Sequence, residues 1–370
     1  MAVEVPDNPC VLFQPEIEAM GGAERSLLAL SRWLTARSIP NQLVLYVDHV
    51  GVAKHADYAL PVVELQPQMS ARKKIAALRR YFTGRPKLPV PLMSGYQAGM
   101  HATLAGVRGF HCLMHDTPDL FEGSAGLSAK ERVRRWVSNR IIAHGLRSGG
   151  VTIVTSEHLR EQTKRLFGVD AEIARMGGLA EEGAFRPRPV KGELRMLSVS
   201  RVEANKRIDW MLRALAEMER GPIPLSERVD WSIEITGRGS QLGALQEMAE
   251  TLNLAGRVRF SGYVSDAALQ ESYGKAHLFL MPAVQGYGIP AVEALARGLP
   301  VLLHRESGVS DILRETPWAT VIEGGEEGML PGLCKAVDAV MLGLQLDAPL
   351  PELPTEDQWA ERVAALCGWV

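Results

Sequence analysis

Short apolar runs alternate along the chain with longer stretches in which apolar residues recur every three or four positions. That pattern predicts strands alternating with amphipathic helices, an α/β fold with parallel sheets. Near the start, Cys10-Val11-Leu12-Phe13 reads as a strand. Gly21-Gly22 then leads into a helix carrying Leu27, Leu30 and Leu34, and Gln42 to Val47 reads as a second strand. His111 to Met114 and Val151 to Thr155 supply further short strands. The run Arg186-Pro187-Arg188-Pro189 interrupts the series as a linker. Beyond it the series restarts. Leu194 to Val199 is a strand, and Ile208, Met211, Leu212 and Leu215 fall at helical spacing. Trp231, Ile233 and Ile235 alternate as a strand, and His277 to Met281 and Pro300 to Leu303 give two more. Pro349, Pro351 and Pro354 break the chain before a last helix, Gln358 to Cys367. The expected organisation is two α/β domains, residues 1–188 and 189–355, and a terminal helix within 356–370.

Composition supports this picture and excludes others. With 370 residues, 46% of them hydrophobic, the chain can build two cores and is not a disordered polymer. No apolar run approaches the roughly 18 residues that cross a bilayer. The first residues, Met1 to Asp7, lack the basic and apolar regions of a signal peptide, so a cytoplasmic location is expected. Cys10, Cys112, Cys334 and Cys367 are scattered, which predicts neither a zinc knuckle nor a disulfide framework.

Charge is uneven. Residues 1–188 hold 24 Lys and Arg against 18 Asp and Glu, and the remainder holds 17 against 25. Between Glu64 and Asp116 there is no acidic residue, while Arg72, Lys73, Lys74, Arg79, Arg80, Arg85, Lys87 and Arg108 all fall there. Ala71, Ile75, Leu78 and Phe82 give that stretch a helical apolar stripe, so residues 70–87 are expected to form a basic amphipathic helix. Such a helix either packs by its stripe or meets an anionic membrane surface or a phosphorylated acceptor. A second candidate carries Lys130, Arg132, Arg134, Arg135 and Arg140, with Val133, Trp136, Val137 and Ile141 as its apolar face.

Several strand-to-helix loops are suited to anions. Gly21-Gly22 stands before a helix whose positive end attracts negative charge. Gly237-Arg238-Gly239 follows a strand, and neither glycine pair belongs to a P-loop. Each alone is as readily a tight turn. Arg201 stands at the carboxyl end of the strand 194–200, and Lys206 opens the next helix. Ligands of open α/β sheets bind at that end, where two cations would compensate a diphosphate leaving group. Otherwise they are a surface Arg and a solvated Lys. Gln285-Gly286-Tyr287-Gly288-Ile289-Pro290 leads into another helix, with Glu293 early in it. That carboxylate suits either the helix dipole or a ribose diol.

Taken together, these loops resemble those of glycosyltransferase family 4, retaining enzymes with the two-Rossmann-domain GT-B fold. The similarity runs in family order along nearly the whole chain. It includes Gly21-Gly22-Ala23-Glu24-Arg25, His115-Asp116, Thr155-Ser156-Glu157-His158-Leu159, Ser200-Arg201 with Lys206, and Gly237-Arg238-Gly239. Its most specific part runs from Gly286-Tyr287-Gly288-Ile289-Pro290 to Gly298-Leu299-Pro300-Val301. The sequence departs from the family at Gln285, where a glutamate is usual, and at Ser200, where a glycine is usual.

The resemblance implies a hexosyl transfer from a UDP- or GDP-linked sugar to a glycan or lipid-linked acceptor, as in bacterial polysaccharide assembly. It implies Arg201, Lys206 and His115 as catalytic residues. Gly21, Gly22, Gly237, Gln285, Gly286, Tyr287, Gly288, Ile289 and Glu293 are implied to bind the donor. It implies a terminal helix returning to the first domain. No Asp-x-Asp occurs, so no metal is expected, no cofactor beyond the sugar nucleotide, and no nucleic-acid partner. The alternative left open by Gln285 is a non-catalytic sugar-nucleotide-binding or scaffold protein. A nucleotide-sugar epimerase or a phosphorylase on the same fold matches less of the residue pattern.

Overall fold

A computed structural model describes residues 8–18, 20–65, 70–85, 87–117, 128–177, 187–314 and 316–370. The chain forms two compact units, Met1–Gly177 with Pro354–Val370, and Gly178–Leu353. The boundaries expected at 188 and 355 thus differ slightly, and Arg186 of the expected linker lies outside the described residues. The chain leaves and re-enters the first unit side by side. A Cβ on Gly177 would lie 2.2 Å from the Thr355 carbonyl carbon, so the crossing leaves no room for a side chain there.

In the first unit the strands are β1 (Cys10–Phe13), β2 (Glu16–Ile17), β3 (Asn41–Leu45), β4 (Val47–Asp48), β5 (Val62–Glu64), β6 (Leu92–Ser94), β7 (His111–Met114), β8 (Thr152–Val154) and β9 (Glu172–Ile173). Seven of them form a parallel sheet in the order β5-β3-β1-β6-β7-β8-β9, with β2 and β4 paired apart. Strands β1, β3, β6, β7 and β8 are buried throughout, as expected of a sheet covered by helices on both faces. The terminal helix Glu356–Leu366 buries Trp359, Ala360, Val363 and Ala364. It packs on the helix Gly22–Ala36, where Arg32 Nη2 meets Glu356 Oε2 at 2.8 Å.

Both basic helices form, but neither buries the whole apolar stripe its sequence suggests. Helix Ala71–Thr83 buries Ala77, Leu78 and Tyr81 and leaves Ala71 exposed, with Ile75 and Phe82 partly covered. Two of its cations are tied to the protein. Lys74 pairs with Glu16, and Arg79 Nε donates to the Ala105 carbonyl at 2.9 Å. Helix Ala129–Leu146 buries Ile142, Ala143, Gly145 and Leu146 rather than the stripe Val133, Trp136 and Val137. Its approach to helix Gly95–Ala105 is set at Gly145, where a Cβ would stand 1.9 Å from Thr103 Oγ1.

The second unit comprises β10 (Glu193–Val199), β11 (Asp230–Thr236), β12 (Val258–Gly262), β13 (Leu278–Met281), β14 (Val301–His304) and β15 (Ala319–Ile322). They pair in parallel in the order β12-β11-β10-β13-β14-β15, the doubly wound Rossmann arrangement. Helix Ile208–Arg220 buries Ile208, Met211, Leu212 and Leu215, the positions its spacing predicts. These residues join Leu194, Met196, Trp231, Ile233 and Leu280 in one core. Among the described residues, no helix is long and apolar enough to cross a membrane.

Candidate active site

In the second unit the winding reverses between β10 and β13, and the loops leaving these two strands flank the crevice where open α/β sheets take ligands. The first loop carries Arg201 and Lys206, and the second carries Gln285 to Ile289. Val284 N–H donates to the Asn205 carbonyl at 2.9 Å, and Asn205 Nδ2 donates to the Val284 carbonyl at 3.1 Å. This reciprocal pair sets Lys206 Nζ 2.8 Å from Gln285 Oε1.

Gln285 is only 8% exposed, and its other end is engaged as well. Nε2 donates to Ser307 Oγ at 3.0 Å, and that hydroxyl donates to the Tyr287 carbonyl at 3.1 Å. The neutral amide therefore orients the Lys206 ammonium without cancelling its charge. Gly288 completes the turn at φ +124°, and a Cβ there would lie 2.7 Å from Gln285 Nε2. Tyr287 is buried, and Ile289 begins the helix Ile289–Ala296.

Two expectations are corrected in detail. Lys206 ends a short turn, Ala204–Lys206, and helix Ile208–Arg220 begins only after Arg207, which is held in the left-handed region at φ +53°. Glu293 lies beyond the first turn of its helix, so the dipole does not hold it. Instead it accepts from the Tyr273 hydroxyl at 3.2 Å, and burial with that carboxylate pushes the phenol pKa up. Gly237 stands at a close backbone approach. At φ +139° its Cβ would fall 1.8 Å from the Ser200 carbonyl, and one on Gly239 would fall 2.1 Å from that of Val202. The Gly237-Arg238-Gly239 turn thus braces the Arg201 loop, with Val202 N–H donating to the Arg238 carbonyl at 2.8 Å.

In the first unit the winding reverses between β1 and β6. A cavity of about 630 Å³ opens at the carboxyl ends of β1, β6 and β7, lined by Gln14, Ser94, Tyr96, Gln97, His115 and Asp116, among others. His115 follows β7, and its Nε2 stands 3.3 Å from Ser94 Oγ. Burial pushes its pKa down to about 4, so the imidazole is neutral near pH 7. Glu131, Arg134, Arg135 and Ser138 of helix Ala129–Leu146 form another wall. The Gly21 amide donates to Glu24 Oε2 at 3.0 Å inside its own helix cap, and Ala23, not Gly21 or Gly22, reaches the cavity.

Sequence reasoning missed Ser94 at the end of β6 and Tyr96 and Gln97 in the first turn of helix Gly95–Ala105, and it missed Arg207, whose Nη2 pairs with Glu306 Oε2 at 2.6 Å. The other histidines are packing or surface groups. His304 Nε2 bonds the Gly324 carbonyl at 2.8 Å, His158 bonds Gln162 at 2.9 Å, and His144 is exposed.

This geometry, a parallel sheet of Rossmann order with two cations at its switch point, places the chain in the doubly wound α/β class. Residues 181–329 match the family described as glycosyl transferases group 1. The chain is 28% identical over 193 residues to a GDP-mannose-dependent α-(1-6)-phosphatidylinositol monomannoside mannosyltransferase of Mycolicibacterium smegmatis, covering 47% of this chain and 49% of the relative. It is 25% identical over 198 residues to the O-antigen chain mannosyltransferase B of Escherichia coli, covering half of each chain. The chain spans about half the length of these curated relatives. Among solved structures, Anabaena HepE in complex with UDP and glucose superposes with TM-score 0.74 at 14% identity, covering 97% of this chain and 99% of the other. The lipopolysaccharide outer core galactosyltransferase WaaB gives 0.67 at 14% identity, covering 96% and 95%. At such identities the likeness establishes the fold, two Rossmann-like domains of GT-B type.

Proposed function

We propose that the chain is a retaining, metal-independent glycosyltransferase of family 4. It moves a hexosyl group from a UDP- or GDP-linked sugar to a glycan or lipid-linked acceptor in polysaccharide assembly. It works in the cytoplasm, peripheral to the membrane. The observation that carries this reading is Lys206, positioned by the buried Gln285 on the loop of Arg201 at the switch point of the second unit. That site lies within the segment matching glycosyl transferases group 1. The Mycolicibacterium smegmatis relative is named as GDP-mannose-dependent, and a structural neighbour holds UDP and glucose, which supports a pyrophosphate-linked hexose as donor.

In the reaction the bond from the anomeric carbon to the diphosphate oxygen breaks, and its electron pair stays on that oxygen. The Arg201 guanidinium and the Lys206 ammonium stabilise the charge as it develops, so they act on the transition state more than on the bound donor. The acceptor hydroxyl attacks the same face, and its proton passes to the departing phosphate oxygen. His115, neutral near pH 7, serves as a hydrogen-bonding partner of the sugar rather than as an acid. Glu293 takes the ribose diol, and the first unit's cavity takes the acceptor.

The test is release of nucleoside diphosphate from UDP- and GDP-hexoses in EDTA, with an acceptor present and the product's anomeric configuration read by NMR. Release from one donor with an α-linked product from an α-donor is expected. An inverted linkage removes the retaining mechanism. Tight donor binding without turnover replaces the enzyme by the non-catalytic reading.

A further inference from the structure

Among the described residues, helix Ala129–Leu146 is packed mainly along its second half. From Ala129 to Val137 every residue except Arg135 is exposed, and three of these are large and apolar. Val133 is 63% exposed, Trp136 63% and Val137 43%. At spacings of three and four they share one face. Five cations, Lys130, Arg132, Arg134, Arg135 and Arg140, stand on the helix against the single acid Glu131. The Arg140 guanidinium carbon lies 5.7 Å from the Trp136 ring centroid, so charge borders the indole directly.

An indole and two valines ringed by cations match the chemistry of an anionic bilayer interface. Aromatic rings settle at the headgroup level, and Lys and Arg meet the phosphates. A second copy of this chain fits poorly, because a two-fold contact would set the same cations face to face. Helix Ala71–Thr83 is also basic but buries Leu78 and Tyr81, leaving no such apolar face.

We propose that the first half of helix Ala129–Leu146 docks the protein on an anionic lipid surface, with Val133, Trp136 and Val137 inserted among the headgroups. Glu131, Arg134, Arg135 and Ser138 of the same helix line the first unit's cavity, so docking brings the cavity to the surface that carries its acceptor. This last clause rests on the transferase reading, whereas the docking itself does not.

The experiment is co-sedimentation of the full chain with phosphatidylcholine vesicles, with and without phosphatidylglycerol, in the absence of any sugar nucleotide. Its outcome is therefore independent of the donor site. The expected result is salt-sensitive binding to the anionic vesicles only. The variant Val133→Ser/Trp136→Ser/Val137→Ser lowers partitioning about tenfold or more, with an unchanged melting temperature because the residues are exposed. Arg132→Ser/Arg140→Ser lowers it as well, and Arg72→Ala/Lys73→Ala on the other basic helix has a smaller effect. Absence of anionic-vesicle binding overturns the proposal, as does binding indifferent to the triple variant. A concentration-dependent dimer abolished by that variant, without lipid binding, assigns the face to a second copy and overturns it too.

Discussion

Replacing Lys206 with alanine removes the ammonium that stands 2.8 Å from Gln285 Oε1, and two separable effects follow. The first is on stability. Gln285 is 8% exposed, so its carbonyl loses a partner in a place water reaches poorly. A buried acceptor left unsatisfied costs about 1–3 kcal/mol, which lowers the melting temperature by roughly 1–4 °C in a chain of this size. The second is on chemistry. Losing one preorganised charged donor to a developing oxyanion costs about 3–4 kcal/mol, or about 10²–10³ in kcat. The variant should therefore remain folded while nucleoside diphosphate release at saturating donor falls by two to three orders of magnitude (about 10²–10³). Gln285→Leu separates the two effects. It removes the orphaned carbonyl, and Ser307 keeps its bond to the Tyr287 carbonyl at 3.1 Å. In the double variant the stability costs should fall short of their sum by about 1–2 kcal/mol. Turnover of Lys206→Ala within about threefold of the parent would remove the leaving-group role. Additive stability costs would remove the Lys206–Gln285 bond.

Acid should destabilise the protein partly through His115. Its folded pKa of about 4 lies below the ordinary 6.5, so between those values the unfolded chain takes up a proton that the folded one refuses. Stability is full above about pH 6.5 and falls towards pH 4, and His115→Gln should lessen the loss between about pH 7 and pH 5 by about 2 kcal/mol in denaturant unfolding. An unchanged loss would show that the ring is not shielded. Gly237→Ala should cost about 3 kcal/mol or more, because its Cβ would stand 1.8 Å from the Ser200 carbonyl at φ +139°. A cost under about 1 kcal/mol would contradict that close approach. Tyr273→Phe removes the hydroxyl that donates to the Glu293 carboxylate at 3.2 Å. It should raise KM for the donor with kcat nearly unchanged, whereas a lower kcat at constant KM would place Glu293 in the chemical step. Transfer should persist in EDTA, since two cations perform the task otherwise given to a metal, and loss on chelation with rescue by a divalent ion would refute this.

Much of the second unit is legible in the sequence because its elements are long and strongly patterned. The seven-residue strand β10 and the helix after it show clear periodicity, and the loops at the switch point follow from that register. The first unit is less legible. Strand β6, at its switch point, has only three residues, Leu92–Ser94, and it follows a proline-interrupted stretch, so no pattern marks it. Ser94 and Tyr96, which line the cavity, disappeared with it. The amphipathic stripes misled for a related reason. Periodicity shows that Val133, Trp136 and Val137 share a face, but the close contact at Gly145 decides which face meets the protein. Glycine motifs were visible as motifs but not as roles. Gly237 and Gly239 make room for neighbouring carbonyls, and Ser156 in the Ser-Glu-x-Leu motif caps its helix by accepting from Leu159 N–H at 3.2 Å. Gln285 was visible as a departure, yet only the structure joins it to Lys206.

The central claim is that the second unit holds a nucleoside diphosphate through Lys206 and Arg201. Melting the purified chain with UDP, GDP and ADP, and with their hexoses, tests this most directly, with Lys206→Ala measured alongside. A ligand at about a hundred times its Kd stabilises the folded state by about 2.7 kcal/mol. The account predicts a clear upward shift with one nucleoside diphosphate and its sugar, reduced in Lys206→Ala. No shift with any of them at millimolar concentration, or an equal shift in the variant, would contradict it.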